Sequence, residues 1–136
     1  MRVTTKGRYA LRAVLALAAE SQDGKPVSIK TIAEHEDISA EFLEQIFFKL
    51  RRAGVIHSVR GPGGGFYFAR SLDSISLLDV LEASGEGIVI APCACGKSSG
   101  CDRSSDCVAG YVWRELDDKL RNFAEARTIA DMMKGA

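Results

Sequence analysis

The stretch SAEFLEQIFFKLRRAGVIHSVRGPGGGFYFA, residues 39–69, changes its hydrophobic period once, and that change decides the fold. From Ser39 to Arg52 the apolar residues Phe42, Leu43, Ile46, Phe47 and Leu50 recur at three and four positions, the spacing of one helical face, and Gly54 supplies the stop. Ser39, just ahead of them, has a side-chain oxygen that can accept from a backbone N–H of the first turn. From Val55 to Val59 and from Phe66 to Ala69 the chain switches to strand-forming residues, and Gly61-Pro62-Gly63-Gly64-Gly65 between them must turn. A helix followed at once by a β-hairpin is expected.

Upstream, Ala10, Leu11, Val14, Leu15, Leu17 and Ala18 mark a first helix from about Thr5 to Ser21, ended by Gln22-Asp23-Gly24. Ser28 can cap a short second helix, Ile29 to about His35. Three helices and a hairpin in this order make a winged helix-turn-helix, in which the third helix enters the DNA major groove and the hairpin tip reaches backbone or minor groove. Downstream, Ser76 begins a fourth helix through Leu77, Leu78, Val80 and Leu81, ending near Gly85. Val108, Val112, Trp113, Leu116, Leu120 and Phe123 then line a helix of about 18 residues. Thr128 caps a last turn carrying Ile129 and Met132. The small amino-terminal unit cannot cover so long an apolar stripe, which points to a second copy packed against it in a C₂ homodimer. The expected fold is mainly α with a small β-hairpin: a winged helix-turn-helix over residues 1–84, a cysteine-rich loop over 85–107, and a long dimerisation helix with a tail over 108–136.

A chain of 136 residues is one compact domain with an appended arm, which excludes a two-domain enzyme. At 46% apolar and 26% charged it is an ordinary globular composition. The net charge of zero hides an asymmetry. Residues 1–70 carry 11 Lys and Arg against 7 Asp and Glu, whereas residues 71–136 carry 7 against 11, so the first half is the one suited to phosphate. No apolar run approaches the ~18 residues of a membrane span, and the opening Met-Arg-Val-Thr-Thr-Lys-Gly-Arg lacks the apolar stretch of a secretion signal. A cytoplasmic location and no membrane partner are expected.

Two constellations carry chemistry. Glu41, Phe42, Glu44 and Gln45 occupy the first two turns of the third helix, where base-reading side chains sit, with Lys49, Arg51 and Arg52 behind them. By itself this pattern also describes a solvated amphipathic helix. Arg60 directly before Gly61 and Pro62 places a planar cation beside backbone that can approach closely, which suits a minor groove or phosphates. The second constellation is Cys93-x-Cys95-x5-Cys101-x5-Cys107 on a loop rich in Gly and Ser. In a reducing compartment closely spaced thiols are ligands or sensors rather than structural disulfides. Iron–sulfur clusters take Cys thiolates; zinc usually takes paired knuckles with shorter spacings; a thiol–disulfide switch is the third reading. His35 and His57, the only histidines, are more simply surface or packed residues than ligands. No nucleophile with its base and orienter, no phosphate loop and no paired carboxylates appear, so catalysis is not indicated.

Met1-Arg2-x-Thr4-x-Lys6-Gly7-Arg8-Tyr9-Ala10, Phe42-Leu43-Glu44-Gln45-Ile46-Phe47 and Ser58-Val59-Arg60-Gly61-Pro62-Gly63-Gly64-Gly65-Phe66 together resemble the bacterial Rrf-two regulators. Within that family the likeness is to the iron–sulfur cluster regulators, and it runs on through Cys95, Cys101, Cys107 and Trp113-Arg114-Glu115-Leu116. The resemblance implies a homodimeric repressor or activator of double-stranded DNA operators whose cluster, 2Fe-2S in preference to 4Fe-4S, reports iron–sulfur status, oxidants or nitric oxide. It places Glu41, Phe42, Glu44 and Gln45 at the major groove and Arg60, Gly61 and Pro62 at the minor groove. Cys95, Cys101 and Cys107 become iron ligands. The sequence departs from the pattern at the fourth ligand: a His of those regulators, three residues beyond the last Cys, is Gly110 here, and the Asp that nitric-oxide-sensing relatives carry in the first helix is Arg8. Cys93 is the obvious substitute; the alternatives are a carboxylate from the partner's first helix or a solvent-derived ligand, with Cys93 then an idle or redox-active thiol.

Overall fold

The computed structural model describes residues 2–21, 23–91 and 107–135. Six helices and one hairpin follow in the order α1 (Thr5–Glu20), α2 (Ile29–Glu36), α3 (Ala40–Arg52), β1 (Ile56–Val59), β2 (Gly65–Phe68), α4 (Leu77–Ala83), α5 (Val108–Ala126) and α6 (Ile129–Lys134), with a 3₁₀ turn at Leu72–Ser74. The architecture is a mostly helical winged helix-turn-helix, as the change of period in residues 39–69 requires.

One core holds the amino-terminal unit together. Val14 and Leu17 of α1, Ile32 of α2, and Leu43, Ile46, Phe47 and Leu50 of α3 all lie in it, with Val55 and Ile56 from the hairpin side. Ile129 of α6 is fully buried in the same cluster, so the carboxyl-terminal turn packs back onto α1. Caps form at the serines and the threonine picked out by sequence. Ser28 accepts from the Thr31 N–H at 3.2 Å and Ser39 from the Phe42 N–H at 3.2 Å, while Ser76 and Thr128 each form a reciprocal capping box with an Asp three residues on. The 3₁₀ turn had no sequence signal.

The hairpin is antiparallel, pairing Ile56 with Phe68 and Val59 with Gly65. Both strands lie one residue earlier or later than their composition suggests. Gly54 bends the chain at φ 79°, which drops Val55 into the core rather than onto the ladder; its carbonyl still accepts from the Ala69 N–H at 3.0 Å. Gly65 joins β2 because Val27 pairs alongside it, exchanging hydrogen bonds with Phe66 at 2.8 and 2.9 Å. A Cβ at Gly65 would lie 2.3 Å from the Val27 carbonyl oxygen, so only glycine permits that approach.

α5 behaves differently from every other helix. Its buried residues are Gly110, Asp117 and Ala124, one per two turns, whereas Val108, Tyr111, Val112, Trp113, Leu116 and Phe123 are exposed. Of the apolar stripe read from the sequence, only Leu120 packs inward, against Leu81, Ile88 and Ala124 in a small second cluster. No helix among the described residues is long and apolar enough to cross a membrane.

Candidate nucleic-acid interface and cysteine segment

The turn between α2 and α3 sets the pose of α3. Asp37 takes a left-handed conformation at φ 53°, alone among the described non-glycine residues, Ile38 anchors in the core, and Ser39 caps the next helix. Asp tolerates that conformation better than a branched residue, which explains a three-residue break with no glycine. Arg12 of α1 fastens α2 from behind, donating to the Glu36 carboxylate at 3.3 Å and to the Glu36 backbone carbonyl.

With Leu43, Ile46, Phe47 and Leu50 committed to the core, α3 must turn Glu41, Glu44 and Gln45 to solvent, and all three are exposed. Phe42 takes another direction. Its half-buried ring stands edge-on to Tyr9 of α1 with centroids 5.6 Å apart, and it lines an open hollow shared with Thr4, Thr5, Arg2, Lys6 and Arg8. None of those three cations pairs with a carboxylate among the described residues. Lys6 also approaches Lys49 of α3, and this contact together with like-charge repulsion holds the Lys49 ammonium below the ordinary lysine range. The start of α1 therefore brings a block of positive charge to the flank of α3. Sequence reading missed this block because 40 residues separate it from the helix it adjoins.

The wing presents Arg60, Gly61 and Pro62 at its exposed tip. Gly61 at φ 93° begins the turn, and its carbonyl accepts from the Gly64 N–H at 2.9 Å. Arg51 of α3 donates to the Ser58 hydroxyl of β1 at 3.3 Å, tying helix and wing into one surface. Phe48, absent from the residues singled out by sequence, is half exposed on this same surface. Its spacing of three and four from Gln45 and Glu44 was the available signal.

Of the four cysteines only Cys107 lies within the described residues; Cys93, Cys95 and Cys101 lie outside them. Cys107 is half buried and immediately precedes α5, with no side-chain hydrogen bond to the helix start. Gly110, one turn on, faces the same way: a Cβ there would lie 3.8 Å from the Cys107 Cβ and 3.4 Å from Arg114 Nη1. The stem leading toward the other cysteines is clamped. Asp117, 3% exposed, accepts from the Ile90 N–H at 3.3 Å, and Arg121 donates to the Ile88 carbonyl at 3.1 Å while pairing with Glu82 of α4 at 3.0 Å. Both stems of the cysteine segment thus rest on α5. His35 sits on the surface between Glu36 and Glu20, and His57 beside Tyr67. Among the described residues no three His, Cys, Asp or Glu side chains gather in a metal-binding arrangement.

The family model for Rrf2, described as an iron-dependent transcriptional regulator, matches residues 3–135. This chain belongs to the Rrf2 family. The HTH-type transcriptional regulator IscR of Yersinia pestis is 39% identical over 133 residues, covering 98% of this chain and 79% of the relative. Among solved structures, CymR, described as the global cysteine regulator of B. subtilis, superposes with a TM-score of 0.81 at 25% identity over 100% of this chain and 98% of its own. The IscR of T. potens superposes with a TM-score of 0.77 at 32% identity over 99% of this chain and 88% of its own. The Rrf2 winged-helix fold and the role of transcriptional regulator are thereby established, and Rrf2 membership implies DNA as the partner. The fold alone does not choose a sensor chemistry, since it serves a cysteine regulator and an IscR alike.

Proposed function

We propose that this Rrf2 protein is a homodimeric, operator-binding regulator whose DNA affinity follows the occupancy of an iron–sulfur cluster held by Cys93, Cys95, Cys101 and Cys107. α3 enters the major groove with Glu41, Glu44 and Gln45, Phe42 borders the groove from its contact with Tyr9, and Arg60, Gly61 and Pro62 of the wing reach the minor groove. A carboxylate in a recognition helix accepts from cytosine N4 and offers nothing to thymine, so Glu44 narrows the set of operators bound. The observation that carries the DNA half is the outward polar face of α3 joined to an Arg-tipped wing through Arg51 and Ser58.

The residues present suit a cluster. All four donors are sulfur, and Cys107 sits at the positive end of α5, where an anionic tetrathiolate centre is favoured. When bound, a cluster supplies redox and ligand-exchange chemistry at iron that oxidants or nitric oxide can reach. The chain's own part is positional. Asp117 and Arg121 fix one stem of the cysteine segment to α5 and to Glu82 of α4, so a change in the segment bears on the helix whose exposed face we assign to the dimer contact. Exposed Val108, Val112, Trp113 and Leu116 on that helix support homodimerisation. Two protomers would then present two α3 helices about one DNA turn apart.

A second reading is a clusterless thiol-redox or zinc-containing regulator, favoured by the likeness to CymR. Anaerobic purification separates the two. The first predicts a coloured protein with iron and sulfide in the ratio of a 2Fe-2S or 4Fe-4S centre, and operator affinity that differs between holo and apo forms. Colourless protein with zinc or reversible disulfides favours the second; equal affinities of holo and apo forms at every operator remove the coupling. In either case Arg60→Ala should weaken operator binding by about 1 to 3 kcal/mol and relax preference at its contact.

A further inference from the structure

We infer that Phe48 is a base-reading residue, and that it confers a preference for thymine through contact with the 5-methyl group, a role resting on the DNA-binding reading above. The geometry of α3 carries the argument. Successive residues turn by about 100° around a helix, so the direction opposite the buried Leu43, Ile46, Phe47 and Leu50 is shared by Glu41, Gln45, Phe48 and Arg52. Phe48 stands near the centre of that outward face with half of its surface exposed. It forms the ridge between two shallow hollows, one lined by Glu41, Glu44, Gln45 and Lys49, the other by Ile29, Glu44, Arg51 and Phe66.

An aromatic ring left uncovered at the middle of a recognition surface gains most from an apolar partner, and its surroundings say which kind. Arg51 and Arg52 place their guanidinium carbons 5.7 and 5.8 Å from the ring centroid, and of the two hollows beside the ring Arg51 lines one and Lys49 the other. A partner seated on Phe48 must satisfy cations on both flanks while offering something apolar at the centre. The major groove does both: phosphates border it, and the thymine methyl is the one apolar group on its base edges. Phe48 lies three residues beyond Gln45, about 4.5 Å along the helix axis, close to one base-pair step. Glu44 tells cytosine from thymine by hydrogen bonding, and Phe48 adds recognition of the 5-methyl group, which no polar side chain of α3 supplies.

The test begins with full-length protein, purified without oxygen, selecting its operator from a random duplex library. Each thymine of the selected site is then replaced singly by deoxyuridine, which deletes the methyl and leaves base pairing intact. One position per half-site should lose about three- to fivefold in affinity, the worth of one buried carbon group. Phe48→Ala should be insensitive to that replacement and should select operators without the thymine preference there, with the rest of the motif retained. Phe48→Leu should keep part of the sensitivity. Wild-type indifference to every thymine-to-uracil change, or unchanged sensitivity in Phe48→Ala, overturns the inference while leaving operator binding intact. Failure to select any sequence at all overturns the DNA-binding reading and the inference with it.

Discussion

α3 and α5 are both amphipathic, yet they resolve their hydrophobic faces in opposite ways. α3 buries Leu43, Ile46, Phe47 and Leu50 within its own chain and shows solvent mainly charged and polar groups, with Phe48 the exception. α5 buries Gly110, Asp117 and Ala124 and shows solvent Tyr111, Trp113 and Phe123, with Trp113 42% exposed. A recognition helix must be held rigidly by its own domain, because a side chain that reads a base cannot move by much. A helix whose large apolar groups face outward while a carboxylate is buried is organised for something outside the chain. Amphipathicity by itself therefore says nothing about which face meets whom.

The comparison can be broken at four points. Phe47→Ala should lower the unfolding free energy by about 3 to 5 kcal/mol, because it opens a cavity where a fully buried ring stood. Chemical denaturation measures this, and a loss below 1 kcal/mol would mean α3 is not anchored as described. Leu116→Asp on α5 should leave the fold intact by circular dichroism but yield monomers in sedimentation, and about 10²-fold weaker operator binding as two half-site contacts become one. Dimers of unchanged affinity would remove α5 from the interface.

For the cluster proposed above, Cys101→Ala should abolish it, whereas Cys93→Ala should shorten its lifetime without abolishing it. Gly110→His sharpens this point. A Cβ at 110 meets the end of the Arg114 side chain at 3.4 Å and the Cys107 Cβ at 3.8 Å, both ordinary contacts, so an imidazole there should restore cluster lifetime in a Cys93→Ala background. No recovery in the anaerobic absorption bands would place the fourth ligand elsewhere. The smallest effect is expected at Ser39→Ala, which removes the acceptor for the Phe42 N–H and should cost about 1 kcal/mol in thermal stability. Operator affinity should fall with it, because the first turn of α3 carries Glu41 and Phe42.

How much of this was legible depended on the range over which each feature is specified. Ser28, Ser39, Ser76 and Thr128 cap as read because a cap is a contract between neighbours in sequence. The wing was legible because Gly61 to Gly65 admit little but a turn. The block of Arg2, Lys6 and Arg8 beside Phe42 was not, nor the pairing of Val27 with Phe66 that draws Gly65 into β2. Each joins residues far apart in the chain, and no local period records them. Phe48 was overlooked for a different reason: an aromatic inside an apolar run reads as core until the neighbouring Phe47 is seen to take the inward direction.

The order of helices, the hairpin, the capping residues and the close spacing of the four cysteines follow from residues near one another in the chain, since hydrophobic period, turn chemistry and thiol content are local properties. The tertiary structure alone decided that α5 presents its large apolar side chains outward, that Asp117 and Arg121 clamp the stem of the cysteine segment, and that the start of α1 lends its charge to α3. Burial is a competition for the inside, and a sequence shows which residues enter that competition without showing which of them the finished core has room to admit.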